Sequence, residues 1–226
     1  MSRVRARPEE WSVLMRASRT AATTRGSKTV SRVERKREER VARILDATAD
    51  ELGSKGLSRF SLEDVAERLD VTKGSLYHYF PSREELVMAG IETLARRIMV
   101  ELNAAVEGSE ESATVRLRRL LTRQLDVVVW DYPASIELFT LRDPADVEGK
   151  VKAVRAGHDA LFRGLVDEGL ASGEFHLTST AASLECMYSS INMSPLWIER
   201  DNPTRARQQI QELIDTLLML VGVVPA

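Results

Sequence analysis

The stretch Ser61-Leu-Glu-Asp-Val-Ala-Glu-Arg-Leu-Asp-Val-Thr-Lys-Gly-Ser-Leu-Tyr-His-Tyr-Phe-Pro-Ser-Arg-Glu-Glu-Leu86 carries its own punctuation. Ser61 is followed three residues on by Asp64, and Ser82 by Glu85, the pattern in which a hydroxyl and a carboxyl satisfy the free N–H groups of a starting helix. Thr72 supplies another N-cap, ahead of a helix of about two turns, Lys73 to Tyr79, that Pro81 stops. Leu62, Val65, Ala66 and Leu69 recur at the spacing of one buried helix face, and Asp70 and Val71 form a tight link to the next helix. Upstream, Val41, Ile44, Leu45, Thr48, Ala49 and Leu52 mark an amphipathic helix opening near Arg32, which Gly53 and Gly56 are expected to end. Downstream, Ser82 launches a long helix from Arg83 to Val106.

A helix of about eight residues, a turn of two or three and a second short helix match the helix-turn-helix plan, in which the second helix enters the major groove. Helical hairpins also occur without DNA, so the composition of the second helix matters. Its solvent side would show Lys73, Ser75, Tyr77 and His78, each able to hydrogen-bond to a phosphate or a base edge, while Leu76 and Phe80 pack inward. Gly74 costs about 1 kcal/mol of helix propensity relative to Ala, a loss that close approach of the backbone to a phosphate would justify.

The quoted stretch, with the lead-in Ile44-Leu45-Asp46-Ala47 and Gly56, resembles the N-terminal DNA-binding domain of the TetR/AcrR family of bacterial transcriptional regulators over about residues 36–88. The family's usual glycine at the helix-turn-helix corner is Asp70 here, a residue that tolerates left-handed backbone better than most. The resemblance implies a dimeric repressor whose C-terminal domain binds a small ligand. It places Thr72, Lys73, Ser75, Tyr77, His78 and Tyr79 where family members touch DNA, and Ser61 and Arg83 at helix starts that meet phosphates. Tyr79, beside Phe80, is equally readable as core packing with its hydroxyl exposed. The fold expected is all-α, with a basic arm over 1–32, a DNA-binding domain over 33–83 and a helical ligand-binding and dimerisation domain over 84–226.

Composition agrees with an aliphatic, helical chain. Its 226 residues are 43% hydrophobic and only 5% aromatic, which leaves the core to Leu, Val, Ile, Ala and Met. One cysteine and three histidines offer little material for a disulfide or a metal centre, and no cofactor is expected. The longest apolar run, Leu217 to Val224, is far short of the roughly 20 residues that cross a bilayer, so the expectation is a cytoplasmic protein with no membrane partner. The net charge of −2 hides an asymmetry: residues 1–45 hold thirteen Lys/Arg against five Asp/Glu. Residues 1–30, basic and rich in Ser, Thr and Ala, are expected to be mostly disordered. They can be read as an arm that adds nonspecific affinity or enters a minor groove, or as an inert tail, and Met15 is a second possible initiator.

From residue 84 onward the balance turns acidic, fourteen Lys/Arg against twenty-two Asp/Glu, which excludes this part as a nucleic-acid surface. Periodicity predicts helices near 111–130, 133–141, 146–171, 179–194 and 203–221. Ile210, Leu213, Ile214, Leu217, Leu218 and Val221 form an apolar stripe on the last of these, most often ordinary core. In the TetR/AcrR family the last two long helices make a four-helix dimer interface, and the resemblance assigns the stripe, with Ala181, Leu184 and Ile191, to it. Dimerisation has a physical argument too, since one short helix reads few base pairs and a twofold pair reads a palindrome. Trp130, Tyr132, Phe139, His158, Phe162, Met187, Tyr188 and Trp197 are candidates for a ligand pocket or plain core, and their apolar character suggests a lipid, an acyl thioester or a drug-like aromatic as effector.

Two other classes compete. An enzyme finds little support: there is no G-x-G-x-x-G, no G-x-x-x-x-G-K and no H-E-x-x-H spacing, and Cys186 sits in an apolar helical stretch. A sequence-independent architectural DNA-binding protein using the basic arm would discriminate little between an operator and random DNA.

Overall fold

The computed structural model describes residues 31–108, 110–135 and 145–223, with the backbone alone for 145–155. Among these residues the secondary structure is helical throughout. The chain divides into two units, one ending at Glu39 and the other beginning at Arg40.

In the first unit, Ser31 and Glu34 form a reciprocal capping box. The Ser31 hydroxyl accepts the Glu34 N–H at 3.1 Å, and the Ser31 N–H donates to the Glu34 carboxylate at 2.8 Å. This box opens α1 (Arg32–Lys55), whose residues up to Glu39 are all exposed.

In the second unit, α1 turns Ile44, Ala47, Thr48, Ala49 and Leu52 inward. Gly53 does not end the helix, as the sequence suggested. It lies within α1 and is buried, because a Cβ there would come within 2.5 Å of the Tyr132 ring. Gly56, with φ of 78°, is the residue that turns the chain out of the helix. Next come α2 (Leu62–Arg68), α3 (Lys73–Tyr77) and α4 (Arg83–Ala105), starting behind Ser61, Thr72 and Ser82, each of which accepts a backbone N–H of its own first turn. The box expected between Ser61 and Asp64 is not made. Asp64 pairs instead with Lys55 at 2.8 Å, and Glu63 takes the Ser61 hydroxyl.

Beyond the first four helices come α5 (Ala113–Asp126), a π-helical turn (Val127–Asp131), α6 (Ala145–Ser172), α7 (Thr180–Met193), a short 3-10 turn (Ser194–Leu196) and α8 (Pro203–Met219). The helix expected over 133–141 falls mostly outside the described residues; its described part, 133–135, is a turn. Helix α5 is the centre of the packing. Leu117, Leu120, Leu121 and Leu125 are wholly buried, and α4, α6 and α8 all pack on it. Its N-terminus is held by Glu174, whose carboxylate accepts the N–H groups of Ala113 and Thr114 at 3.0 and 2.9 Å.

Candidate nucleic-acid interface

The geometry of α2 and α3 follows from the turn between them. Asp70 has φ of 53°, its N–H donates to the Glu67 carbonyl at 3.0 Å, and the Val71 N–H donates to the Ala66 carbonyl at 2.9 Å. This is the paired hydrogen-bond pattern that ends a helix through one left-handed residue, here an aspartate in the place where glycine is usual. Thr72 then takes an extended conformation and its Oγ1 accepts the Ser75 N–H at 3.2 Å, which starts α3 in a new direction. Leu76, buried to 1% exposure, anchors α3 to the core.

One buried anchor leaves the rest of α3 facing out. Thr72, Lys73, Gly74, Tyr77 and His78 are exposed, with Tyr77 at 43%, unusually open for an aromatic. Among the described residues a Cβ added at Gly74 would meet only Thr72 Oγ1, at 3.8 Å, so none of them requires glycine there. Ser75 is half-buried and its hydroxyl is 2.9 Å from that of Thr72. Tyr79 is half-buried against the core, as is Phe80. Ser61 and Arg83 are also half-buried. Arg83 donates to the Phe60 carbonyl at 3.3 Å with its guanidinium 5.4 Å from the Phe60 ring centre, so part of its work is structural. The sequence did not reveal that Lys73 is paired, its Nζ 2.6 Å from Glu63 Oε1.

The candidate ligand residues separate into groups. His158, Phe162 and Tyr188 come together, with ring centres 4.8 Å apart between His158 and Phe162, 5.3 Å between His158 and Tyr188, and 5.4 Å edge-on between Phe162 and Tyr188. Gln124 joins them with its Oε1 2.9 Å from His158 Nε2, and Asp159 accepts from the Tyr188 hydroxyl at 3.1 Å and from Arg163. Burial drives the His158 pKa down to about 4, and burial likewise raises that of Tyr188. Met187 is fully buried on α7. Tyr132 packs against Gly53 instead, Trp130 is half-buried with its indole N–H unpartnered, and Trp197 is 46% exposed. Phe139 lies outside the described residues. Gln124 and Asp159 were missed in the sequence, since a polar residue in a helix carries no mark of its long-range partner.

The residues expected at a dimer interface differ in how far they are buried within the chain. Leu184, Ile191, Ile210, Ile214, Leu217, Leu218 and Val221 are all buried within this subunit, and Leu213 is half-buried. Among the described residues the stripe on α8 packs on α5 of the same chain. Ala181 alone of the set is exposed.

Residues 44–89 match the family model described as bacterial regulatory proteins, tetR family. The repressor KstR of Rhodococcus jostii is 40% identical over 83 residues, which cover 37% of this chain and 38% of KstR. The first curated relatives are matched over 38% to 46% of their own length. Among solved structures, the TetR-family regulator PfmR of Thermus thermophilus superimposes with a TM-score of 0.61 at 25% identity, over 80% of this chain and 100% of that one. FadR of Bacillus subtilis, solved in complex with stearoyl-CoA, superimposes with a TM-score of 0.63 at 14% identity, over 80% of this chain and 99% of that one. Residues 44–89 thus form a DNA-binding head of the tetR family of bacterial regulatory proteins, and the chain shares the fold of TetR/AcrR-family structures over most of its length.

Proposed function

We propose that this chain represses transcription by binding a palindromic operator as a homodimer, and that a small hydrophobic effector releases it. The observation that carries the reading is the outward face of α3, where Thr72, Lys73, Tyr77 and His78 are exposed behind the Asp70 turn while Leu76 alone is fully buried. Lys73, Thr72, Ser61 and Arg83 position the protein on phosphates, and Ser75, Tyr77, His78 and the Tyr79 hydroxyl are placed to meet base edges. Repression is favoured because KstR, matched over the head, is a repressor.

The effector reading rests on the cluster of His158, Phe162 and Tyr188 on α6 and α7, an aromatic setting beside buried Met187, to which Gln124 and Asp159 add polar groups. It suits a lipid, an acyl thioester or an aromatic, and FadR, which shares the fold, was solved with an acyl thioester. Release requires tighter effector binding to the conformation that cannot bind DNA; a hundredfold effect corresponds to about 2.7 kcal/mol.

The test is binding of the full chain to duplexes drawn from the DNA flanking its own coding region, against random duplex at moderate salt. A regulator discriminates by about a thousandfold or more. Lys73→Ala is expected to weaken binding to every duplex and flatten its salt dependence, while His78→Ala changes the preferred sequence. Equal affinity for all duplexes would sink the regulator and favour an architectural protein, and an obligate monomer that binds one defined site tightly would remove the dimer.

A further inference from the structure

Lys73 is occupied before DNA arrives. Its ammonium lies 2.6 Å from Glu63 Oε1, and the other oxygen of the same carboxylate accepts the Ser61 hydroxyl at 2.8 Å. One acid therefore holds two of the side chains assigned to the DNA backbone, from a position ten residues before Lys73. The pair lies at the surface, with Glu63 65% and Lys73 46% exposed, so an incoming duplex can reach it. A backbone phosphate would offer Lys73 what Glu63 already offers, oxygens that share one negative charge.

The Glu63 carboxyl is held down to about 2, chiefly by the hydrogen bond from Lys73 and next by that from Ser61. It stays ionised across the range in which the protein works, so a proton does not open the pair and a competing anion must. Left in place beside a duplex, the same charge would repel the phosphates around it.

We propose that Glu63 is an intramolecular rival of the DNA backbone: it occupies Lys73 and Ser61 in the free protein, must be displaced before either reaches a phosphate, and so limits affinity for duplexes of every sequence. The inference rests on the reading of α3 as the DNA-facing helix. Because the contested groups are phosphate ligands, Glu63 sets how tightly the protein holds DNA and leaves the choice of sequence to the residues that meet base edges.

The experiment measures binding of the full chain to two duplexes, one selected by the protein from a random pool and one unselected, over a series of salt concentrations. Glu63→Gln keeps the side chain's size and removes its charge. Both affinities are expected to rise by about three- to tenfold, with the slope of log K against log salt steeper by about one and the ratio between duplexes unchanged. In a Lys73→Gln background the gain is expected to vanish. Unchanged affinity and slope would overturn the proposal. So would a gain that persists without Lys73, which would make Glu63 a general repulsive charge, or a loss confined to the selected duplex, which would make it a reader of a cytosine amino group. If the unmutated protein selects no duplex at all, the regulator reading fails, while the response of the unselected duplex to Glu63→Gln still decides this one.

Discussion

Arg97 and Arg68 meet on opposite oxygens of one carboxylate, that of Asp50: Oδ1 accepts from Arg97 at 2.7 Å and Oδ2 from Arg68 at 2.9 Å. Arg97 lies on α4, Arg68 closes α2, and Asp50 lies on α1, so a single side chain sets the place of both helices on the first. Arg97 also reaches Asp46 at 2.5 Å. The placement of α2 fixes the turn that aims α3, which puts the direction of α3 under the control of a charge cluster outside it. Asp50→Asn is expected to cost about 1 to 3 kcal/mol of stability, read by thermal unfolding, and to weaken operator binding as well. Arg97→Lys should not spare the protein, because an ammonium cannot span Asp46 and Asp50 as a guanidinium fork does. An unaltered melting temperature in both variants would show the cluster to be ornamental.

The left-handed conformation of Asp70, φ 53°, costs an L-residue roughly 1 to 2 kcal/mol that glycine does not incur. Asp70→Gly is therefore expected to stabilise the protein by about 1 kcal/mol, after the added freedom of the unfolded chain is set against the relief. Chemical denaturation measures it. A destabilised Asp70→Gly protein would mean that the aspartate side chain supports the turn by more than it strains it.

At Gly74 stability and function are expected to part. A Cβ there finds only Thr72 Oγ1, at 3.8 Å, so Gly74→Ala should gain up to about 1 kcal/mol of helix propensity. If the backbone at this point approaches a phosphate, the same methyl group weakens DNA binding. A melt and a DNA titration on one variant check both halves, and stronger binding would remove the close approach.

The buried imidazole of His158 makes stability depend on pH. Its folded pKa, about 4, lies below the ordinary value of 6.5 because burial penalises the cation. The unfolded chain therefore binds a proton first, and the stabilisation is complete above pH 6.5 and is lost as pH falls towards 4. About 2 kcal/mol should disappear between pH 7.5 and 5, with His158→Gln flattening that slope. Glu174 and Glu63, whose pKa values are lowered from 4.5, act only below this window. A slope unchanged in His158→Gln would assign the loss to other groups.

The head of the molecule was legible because its signals are short-range. Ser61, Thr72 and Ser82 cap helices through N–H groups two or three residues away, and Asp70 ends α2 through carbonyls three to five residues back. Gly53 misled because a glycine that admits a distant ring looks the same in sequence as one that ends a helix. The stripe on α8 has a related ambiguity: an apolar face declares that something covers it and is silent about whether the cover is the same subunit or another.

Local chemistry along the chain was enough to specify the helices, the turn at Asp70 and the outward side chains of α3, since caps, periodicity and φ preferences act over a few residues. Only the tertiary structure decided that Glu63 holds Lys73, that Asp50 joins Arg68 to Arg97, that His158 meets Gln124, and that Leu217 and Leu218 belong to the subunit's own core. Those relationships join residues from ten to nearly fifty positions apart, and which side chains meet across such distances is settled by how whole helices pack, a property that no single segment carries.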